Sequence, residues 1–134
     1  MIDVSIDLQN RILLLTASGT VDERQVLASH QRVMSLPDFD PAFPAYSDYA
    51  RVNDLRLDGA ALRRIANDLA LLAPAQRRAV VVRDGAMLAF GRLFEAYLEI
   101  AGAGQLTRAF LERDEALAWL RDEPLQEQRA RAAG

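Results

Sequence analysis

The stretch that decides the fold is AYSDYARVNDLRLDGAALRRIANDLA, residues 45–70. Its first six residues predict a strand, its polar middle predicts a loop, and the spacing of Leu62 and Ile65 predicts a helix that Pro74 ends. The helix opens on Asp58, whose carboxylate can accept from the free backbone N–H groups of the first turn. A strand that leads into such a helix is the repeating unit of a parallel sheet.

Upstream of this unit, MIDVSID alternates apolar and polar residues, and RILLLTASG is almost continuously apolar. The two segments predict an antiparallel hairpin that turns at Gln9 and Asn10. Thr20 and Glu23 then have the spacing of a capping box, so a helix is predicted to begin there and to stop before Pro37.

Downstream, two more strand and helix pairs follow. The predicted strands are RRAVVVRD and QLTRAFL, and the predicted helices are GAMLAFGRLFEAYLEIAGAG and DEALAWL. Because strands alternate with helices after the hairpin, the last four strands should run parallel with right-handed connections. The sequence therefore predicts an α/β fold with a mixed five-stranded sheet and four helices. We expect a single domain over residues 1–123 and a polar tail over 124–134.

The composition excludes several classes of function. The chain has 134 residues, a net charge of −3 and no cysteine. Disulfides, thiolate metal sites and cysteine nucleophiles are therefore excluded, and attraction to nucleic acid is not expected. No apolar run is long enough to span a membrane, and the acidic start differs from a signal peptide. We expect a cytoplasmic protein without a metal or a cofactor.

His30 is the only histidine, and it lies on the apolar face of the first predicted helix. A partly buried, hydrogen-bonded histidine is the simpler interpretation, because a catalytic histidine needs a nucleophile and an orienting acid. Ser47 could approach His30 only if the third strand and the first helix were suitably placed. A hydrolase that uses His30 is the remote alternative, since the chain has no G-x-S-x-G motif. We predict no enzymatic activity and no catalytic residue.

Charged and polar residues cluster where the third and fourth strands are predicted to end. Ligands of open α/β sheets usually bind beyond the carboxyl ends of the strands. A solvated loop cluster or a site for a small polar ligand would both fit. The candidates are Asp48, Arg51, Asn53, Arg56 and Arg83.

The helix predicted after Gly85 has an unusually narrow charged stripe. One face is small enough to press on the sheet and carries Ala86, Ala89, Leu93, Ala96 and Ile100. The neighbouring face carries Met87, Phe90, Phe94 and Tyr97. These larger side chains either pack under the last helix beside Trp119 or form an exposed apolar patch. An exposed patch would predict a homodimer, a protein partner or a groove for an apolar ligand.

Three segments carry a resemblance to a known family: FPAYSDYARVNDLRLDGAALRRIA, RRAVVVRDGAMLAFGRLFEAY and FLERDEALAWL. They resemble the STAS domain of bacterial anti-sigma-factor antagonists, and more closely the stand-alone SpoIIAA-like proteins. The resemblance implies that Asp48 matches the acid that ends a strand, and that Asp58 occupies the position of the phosphorylated switch serine. A carboxylate there would leave the switch absent or permanently charged.

Two functions from different classes follow from the sequence. The first is a non-enzymatic, STAS-like interaction or regulatory module that forms a homodimer or binds a protein partner. The second is a carrier or sensor that binds a small apolar or amphipathic ligand. Neither involves nucleic acid or a membrane span.

Overall fold

The computed structural model describes residues 1–103 and 106–121. The predicted end of the domain and the predicted tail lie outside these residues. The strands are β1 Ile2–Asp7, β2 Ile12–Asp22, β3 Ala45–Arg56, β4 Arg78–Val81 and β5 Thr107–Phe110. The helices are α1 Glu23–Ser35, α2 Gly59–Leu72, α3 Gly85–Ile100 and a last helix, α4, over 113–121.

The five strands form one sheet in the order β1-β2-β3-β4-β5. β1 and β2 pair antiparallel, and every later neighbour pairs parallel. This arrangement confirms the predicted α/β class and the mixed sheet. Because β2 to β5 follow one another in a single direction, right-handed connections place all their helices on the same face of the sheet.

The two faces of the sheet have separate cores. On one face, Val26 of α1, Ile65 of α2 and Met87 of α3 pack with buried residues of β2 and β3. On the other face, α4 packs on β4 and β5, and the rings of Trp119 and Phe110 lie 5.7 Å apart. Trp119 therefore lies across the sheet from α3, so of the two alternatives for the α3 aromatics, packing beside Trp119 is wrong.

The first helix begins later than predicted. β2 continues through Val21, which is fully buried, and Thr20 is still part of that strand. Asp22 caps α1 instead of Thr20: its side chain accepts from the backbone N–H of Gln25, and the Gln25 side chain accepts from the N–H of Asp22. Burial of Val21 thus outweighs the capping pattern that the sequence offers two residues earlier.

The polar segment that was predicted to be a loop is the second half of β3. Residues 51–56 continue the strand and pair with β2 as far as Asp22, whereas β4 pairs only with Ala45–Asp48. β2 and β3 therefore project beyond β4 as a two-stranded ribbon. Val52 is buried, but most of its neighbours in the ribbon are exposed, which explains why the local pattern resembles a loop.

Gly91 fixes the rotation of α3 on the sheet. A Cβ at this position would lie only 2.5 Å from the Cβ of Ala109 in β5, so the helix backbone and the strand touch here. Gly91 is therefore a position at which only a glycine allows this close packing. The predicted small face is wrong, however, because Leu93 and Ile100 are 39% and 81% exposed. The side of α3 that carries Met87 and Leu98 faces inward instead.

Candidate functional site

A cavity of about 130 Å³ lies between the sheet and the layer formed by α1, α2 and α3. β2, β3 and β4 form its floor, and the three helices form its walls. Most of the lining is apolar, with residues such as Leu15, Val26, Ile65 and Phe94. A concave space of this kind, with few polar groups, is the usual setting of a small-molecule site.

Five neutral polar side chains line the cavity: Ser29 and His30 from α1, Ser47 and Tyr49 from β3, and Gln76, which precedes β4. Within residues 1–103 and 106–121, no hydrogen-bond partner contacts His30 Nε2, Ser47 Oγ or Tyr49 Oη. Protein atoms do not fully enclose any of the three. Burial raises the pKa of Tyr49 to about 12, so its hydroxyl keeps its proton at neutral pH.

His30 is held by Asp68 of α2. The His30 Nδ1 and Asp68 Oδ2 atoms are 2.7 Å apart, and the two side chains are 8% and 31% exposed. Burial lowers the pKa of His30 below its ordinary value, although the hydrogen bond and charge of Asp68 oppose this shift. The ring is therefore neutral at neutral pH. Nδ1 donates to the carboxylate, and Nε2 keeps its lone pair.

The structure unites part of the arrangement that a hydrolase would need. His30 has an orienting acid, and Ser47 lines the same cavity, but the described hydrogen bonds include none between Ser47 and His30. Ser29, the sequence neighbour of His30, donates to the carbonyl of Val26 at 2.6 Å. The geometry therefore makes His30 Nε2 a hydrogen-bond acceptor whose orientation is fixed by Asp68. Among the described hydrogen bonds, none links His30 to a serine that it could activate.

We expect the free energy of unfolding to decrease as the pH falls below about 6.5. The folded protein lowers the pKa of His30, so the unfolded chain binds the proton more readily and the stabilising contribution is lost toward lower pH. The slope has an upper limit of about 1.4 kcal/mol per pH unit. Urea unfolding at a series of pH values measures it.

His30→Gln is the control for this pH dependence, because His30 is the only histidine of the chain. The variant should lose the slope between about pH 6.5 and pH 5, where few other groups titrate. A wild-type stability that rises as the pH falls through this range would contradict the prediction. It would mean that the attraction of Asp68 exceeds the cost of burying a charged ring.

Arg78 is a buried cation at the edge of the cavity that sequence analysis did not select. It is 5% exposed and donates to the carbonyl of Ala73 and to Thr107 Oγ1. None of the described carboxylates forms an ion pair with it, and its Nε is enclosed without a partner. Burial lowers the pKa of Arg78 to about 10. The sequence signal that could have identified Arg78 is an arginine at the start of a strand whose other residues are apolar.

Asp58 caps α2. Its Oδ1 accepts from the backbone N–H of Ala61 at 2.8 Å, and its own backbone is extended. The side chain is exposed and lies near the ion pair of Glu23 and Arg64. The capping role predicted from the sequence is therefore present in the structure.

We expect Asp58→Ala to destabilise the protein by about 1 kcal/mol, because the first turn of α2 loses its cap. Asp58→Asn should retain most of the stability, since the amide oxygen can accept the same hydrogen bond. Chemical unfolding of the two variants measures the difference. An alanine variant as stable as the asparagine variant would show that the hydrogen bond to Ala61 contributes nothing.

The polar candidates do not converge on one site. Asp48 accepts from the backbone N–H of Ala50, and Arg56 pairs with Asp54 in the same strand. Arg51 and Asn53 are exposed along the ribbon. Only Arg83 joins two elements, because its Nη1 donates to the carbonyl of Val52 at 2.9 Å. The arrangement favours the solvated, charge-balanced interpretation of these residues.

The apolar candidates of α3 face the interior. Met87 is buried, and Phe90 and Phe94 are half-buried. All three line the cavity. Tyr97 is half-buried against the cluster that contains Leu98. The placement fits a wall of a ligand cavity better than an exposed interface.

Residues 1–103 and 106–121 contain no group of three or more histidine, aspartate or glutamate side chains placed to bind a metal ion. None of the helices in this part of the chain has the length and apolar character needed to cross a membrane.

Comparison with known proteins identifies the fold. No protein-family model matches the sequence, and no curated protein matches it. Among solved structures, the chain is similar to an uncharacterised protein of the DUF3478 family with a SpoIIAA-like fold from Shewanella loihica PV-4. The two are 17% identical with a TM-score of 0.57, over 90% of this chain and 92% of the other.

Proposed function

Because the chain has the SpoIIAA-like fold, we propose that it is a non-enzymatic, STAS-like module that binds a small apolar or amphipathic ligand. The observation that carries this proposal is the cavity of about 130 Å³ beneath α1, α2 and α3. Its walls are apolar, and its few polar atoms are neutral apart from Arg78 at its edge. Such a lining favours the binding of an apolar molecule and orients it through a small number of hydrogen bonds.

The size of the cavity limits the ligand. An apolar protein cavity of about 150 Å³ is large enough to bind benzene. The present cavity is slightly smaller, so a single ring or a short branched chain is the largest body that fits without rearrangement. The ligand class is therefore a compact molecule of about six to eight non-hydrogen atoms.

Toluene is the probe for this proposal. We expect ligand-observed NMR to detect toluene binding to the wild-type protein, and expect Ser47→Leu to abolish it, because the larger side chain occupies the cavity. Ser5→Leu, at an exposed position of β1, is the matched control and should bind like wild type. The proposal fails if the wild-type protein does not bind toluene, or if Ser47→Leu binds it equally well.

A second candidate function is the protein interaction module that the family resemblance implies. Leu71 of α2 and Ile100 of α3 are 84% and 81% exposed, and such residues are candidates for an interface. Asp58 stands at the switch position, and a serine kinase cannot phosphorylate a carboxylate. In this function the protein forms a homodimer, or binds a partner, without a regulated serine.

Light scattering distinguishes this second function. A dimer that dissociates when Ile100 is replaced by glutamate would support an interface that includes Ile100. A monomer at high micromolar concentration, together with failure to bind a candidate anti-sigma factor, would count against it. The toluene experiment is independent of this result, because Ile100 does not line the cavity.

A further inference from the structure

His30 offers an oriented hydrogen-bond acceptor to the cavity. Its Nδ1 lies 2.7 Å from Asp68 Oδ2, and a carboxylate can only accept from it. The opposite nitrogen of the neutral ring, Nε2, therefore carries the lone pair. Because His30 lines the cavity and its Nε2 is neither bonded nor enclosed, we place that lone pair at the cavity surface.

The surroundings favour the neutral ring over the charged one. Burial lowers the pKa of His30, and the positive charge of Arg78 acts in the same direction against Asp68. Ser29 and Gln76 also line the cavity, but their side chains already donate to the carbonyls of Val26 and Phe43. The groups left to a ligand are the acceptor at His30 and the hydroxyl groups of Ser47 and Tyr49. A ligand that complements these three groups must donate one hydrogen bond and be able to accept another.

A hydroxyl group meets both requirements, whereas a carboxylate does not. A carboxylate cannot donate to the unprotonated Nε2, and its charge would require a cationic partner. Arg78 is the nearby cation, but its Nε is enclosed and its other nitrogens already donate to Ala73 and Thr107. A phosphate would need still more charged donors in a space that is mainly apolar.

We propose that the cavity binds a small alcohol or phenol, whose hydroxyl group donates to His30 Nε2 and whose apolar body lies among the side chains of α2 and α3. This inference rests on the proposed ligand-binding function and specifies its chemistry. His30 recognises the hydroxyl group by accepting its hydrogen bond. Asp68 is a positioning residue, because it fixes which nitrogen of the ring can accept.

Phenol and toluene form a matched pair of probes, because they have the same shape and the same number of non-hydrogen atoms. Titration of the wild-type protein should show binding of both. The nitrogen NMR shift of His30 Nε2 should change on adding phenol, as expected for an accepted hydrogen bond, and should not change in the same way on adding toluene. This measurement needs no variant.

His30→Leu removes the acceptor and keeps an apolar side chain of similar volume. We expect this variant to bind phenol at least about tenfold more weakly relative to toluene than the wild type does, because the hydroxyl group would be buried without a partner. His30→Gln retains a carbonyl acceptor and should partly restore phenol binding.

The possible results separate the two proposals. Toluene binding without the phenol-specific shift of Nε2 overturns the assignment of His30 and leaves the ligand-binding function intact. Failure of both probes overturns the ligand-binding function itself. Benzoate binding more tightly than phenol overturns the hydroxyl class, since it would make Arg78 the group that recognises the ligand.

Discussion

Replacing Phe94 by glutamate is expected to destabilise the protein by about 3 kcal/mol or more. The ring of Phe94 packs against two clusters of buried residues and lines the cavity. Glutamate loses this apolar contact and places a charge against an apolar wall. Urea unfolding monitored by circular dichroism measures the change.

Leu93→Glu is the matched control, because it puts the same charge on the next residue of α3. Leu93 is 39% exposed on the outer side of the helix, so the carboxylate can remain in water. Its expected cost is about 0.5 kcal/mol or less. If Leu93→Glu were the more damaging variant, α3 would have to be rotated with its small face on the sheet.

The second large effect is expected for Leu98→Ala, at about 3 kcal/mol. Leu98 is 1% exposed and packs with Ala66 of α2 and Ala103. These two buried neighbours are small and cannot extend into the space that truncation leaves, and the larger side chains at the rim of the cluster fill it only in part. The loss therefore includes both the transfer of the removed atoms to water and the cost of a new cavity. Thermal and chemical unfolding both report it.

Ile100→Ala provides the comparison for this truncation two residues later. Ile100 is 81% exposed, and alanine has a higher helix propensity than isoleucine. The variant should lie within about 0.5 kcal/mol of wild type. Equal losses at Leu98 and Ile100 would contradict the burial pattern of α3, or would place Ile100 in an interface between molecules.

The order of elements could be predicted because each one carries its own periodic signal. β1 alternates, β4 is short and β-branched, and α2 and α3 are preceded by the capping residues Asp58 and Asp84, whose side chains accept from the first turns. The parallel direction of the last four strands then followed from the alternation of strands and helices. These are local rules, and the fold obeys them.

The ribbon could not be predicted from local pattern. Its residues 51–56 are mostly polar because β4 does not extend beside them, so few positions there need apolar side chains. Pairing with β2 makes this segment a strand, and that pairing depends on the unusual length of β2. A polar strand that protrudes from a sheet has the composition of a loop.

The orientation of α3 left a signal that sequence analysis gave too little weight. Met87, Gly91, Phe94 and Leu98 recur at steps of four, three and four residues, which defines one face of a helix. Gly91 lies within this face and permits the close approach to Ala109. The alanine-rich face competes with this signal, because small residues also favour close packing.

The position of the candidate site follows from topology. Ligands bind beyond the carboxyl ends of parallel strands where the strand order reverses and helices on opposite faces part. β2 to β5 succeed one another without a reversal. In the described residues this strand order provides no such switch point, and the candidate cavity lies instead between the helices and the sheet. His30 and Asp68 are 38 residues apart in the sequence and are brought together by the packing of α1 and α2. No sequence motif marks the pair, so it could not be predicted.

The projecting ribbon has a consequence for how copies of the protein behave when crowded together. Beyond Asp48, β3 pairs only with β2 in the described residues, so its other side is an open strand edge that could recruit another chain. Arg51 and Arg56 place charges along this edge, and Arg83 already occupies the carbonyl of Val52. The polar cluster thus protects this open edge against strand addition and fibrillar aggregation.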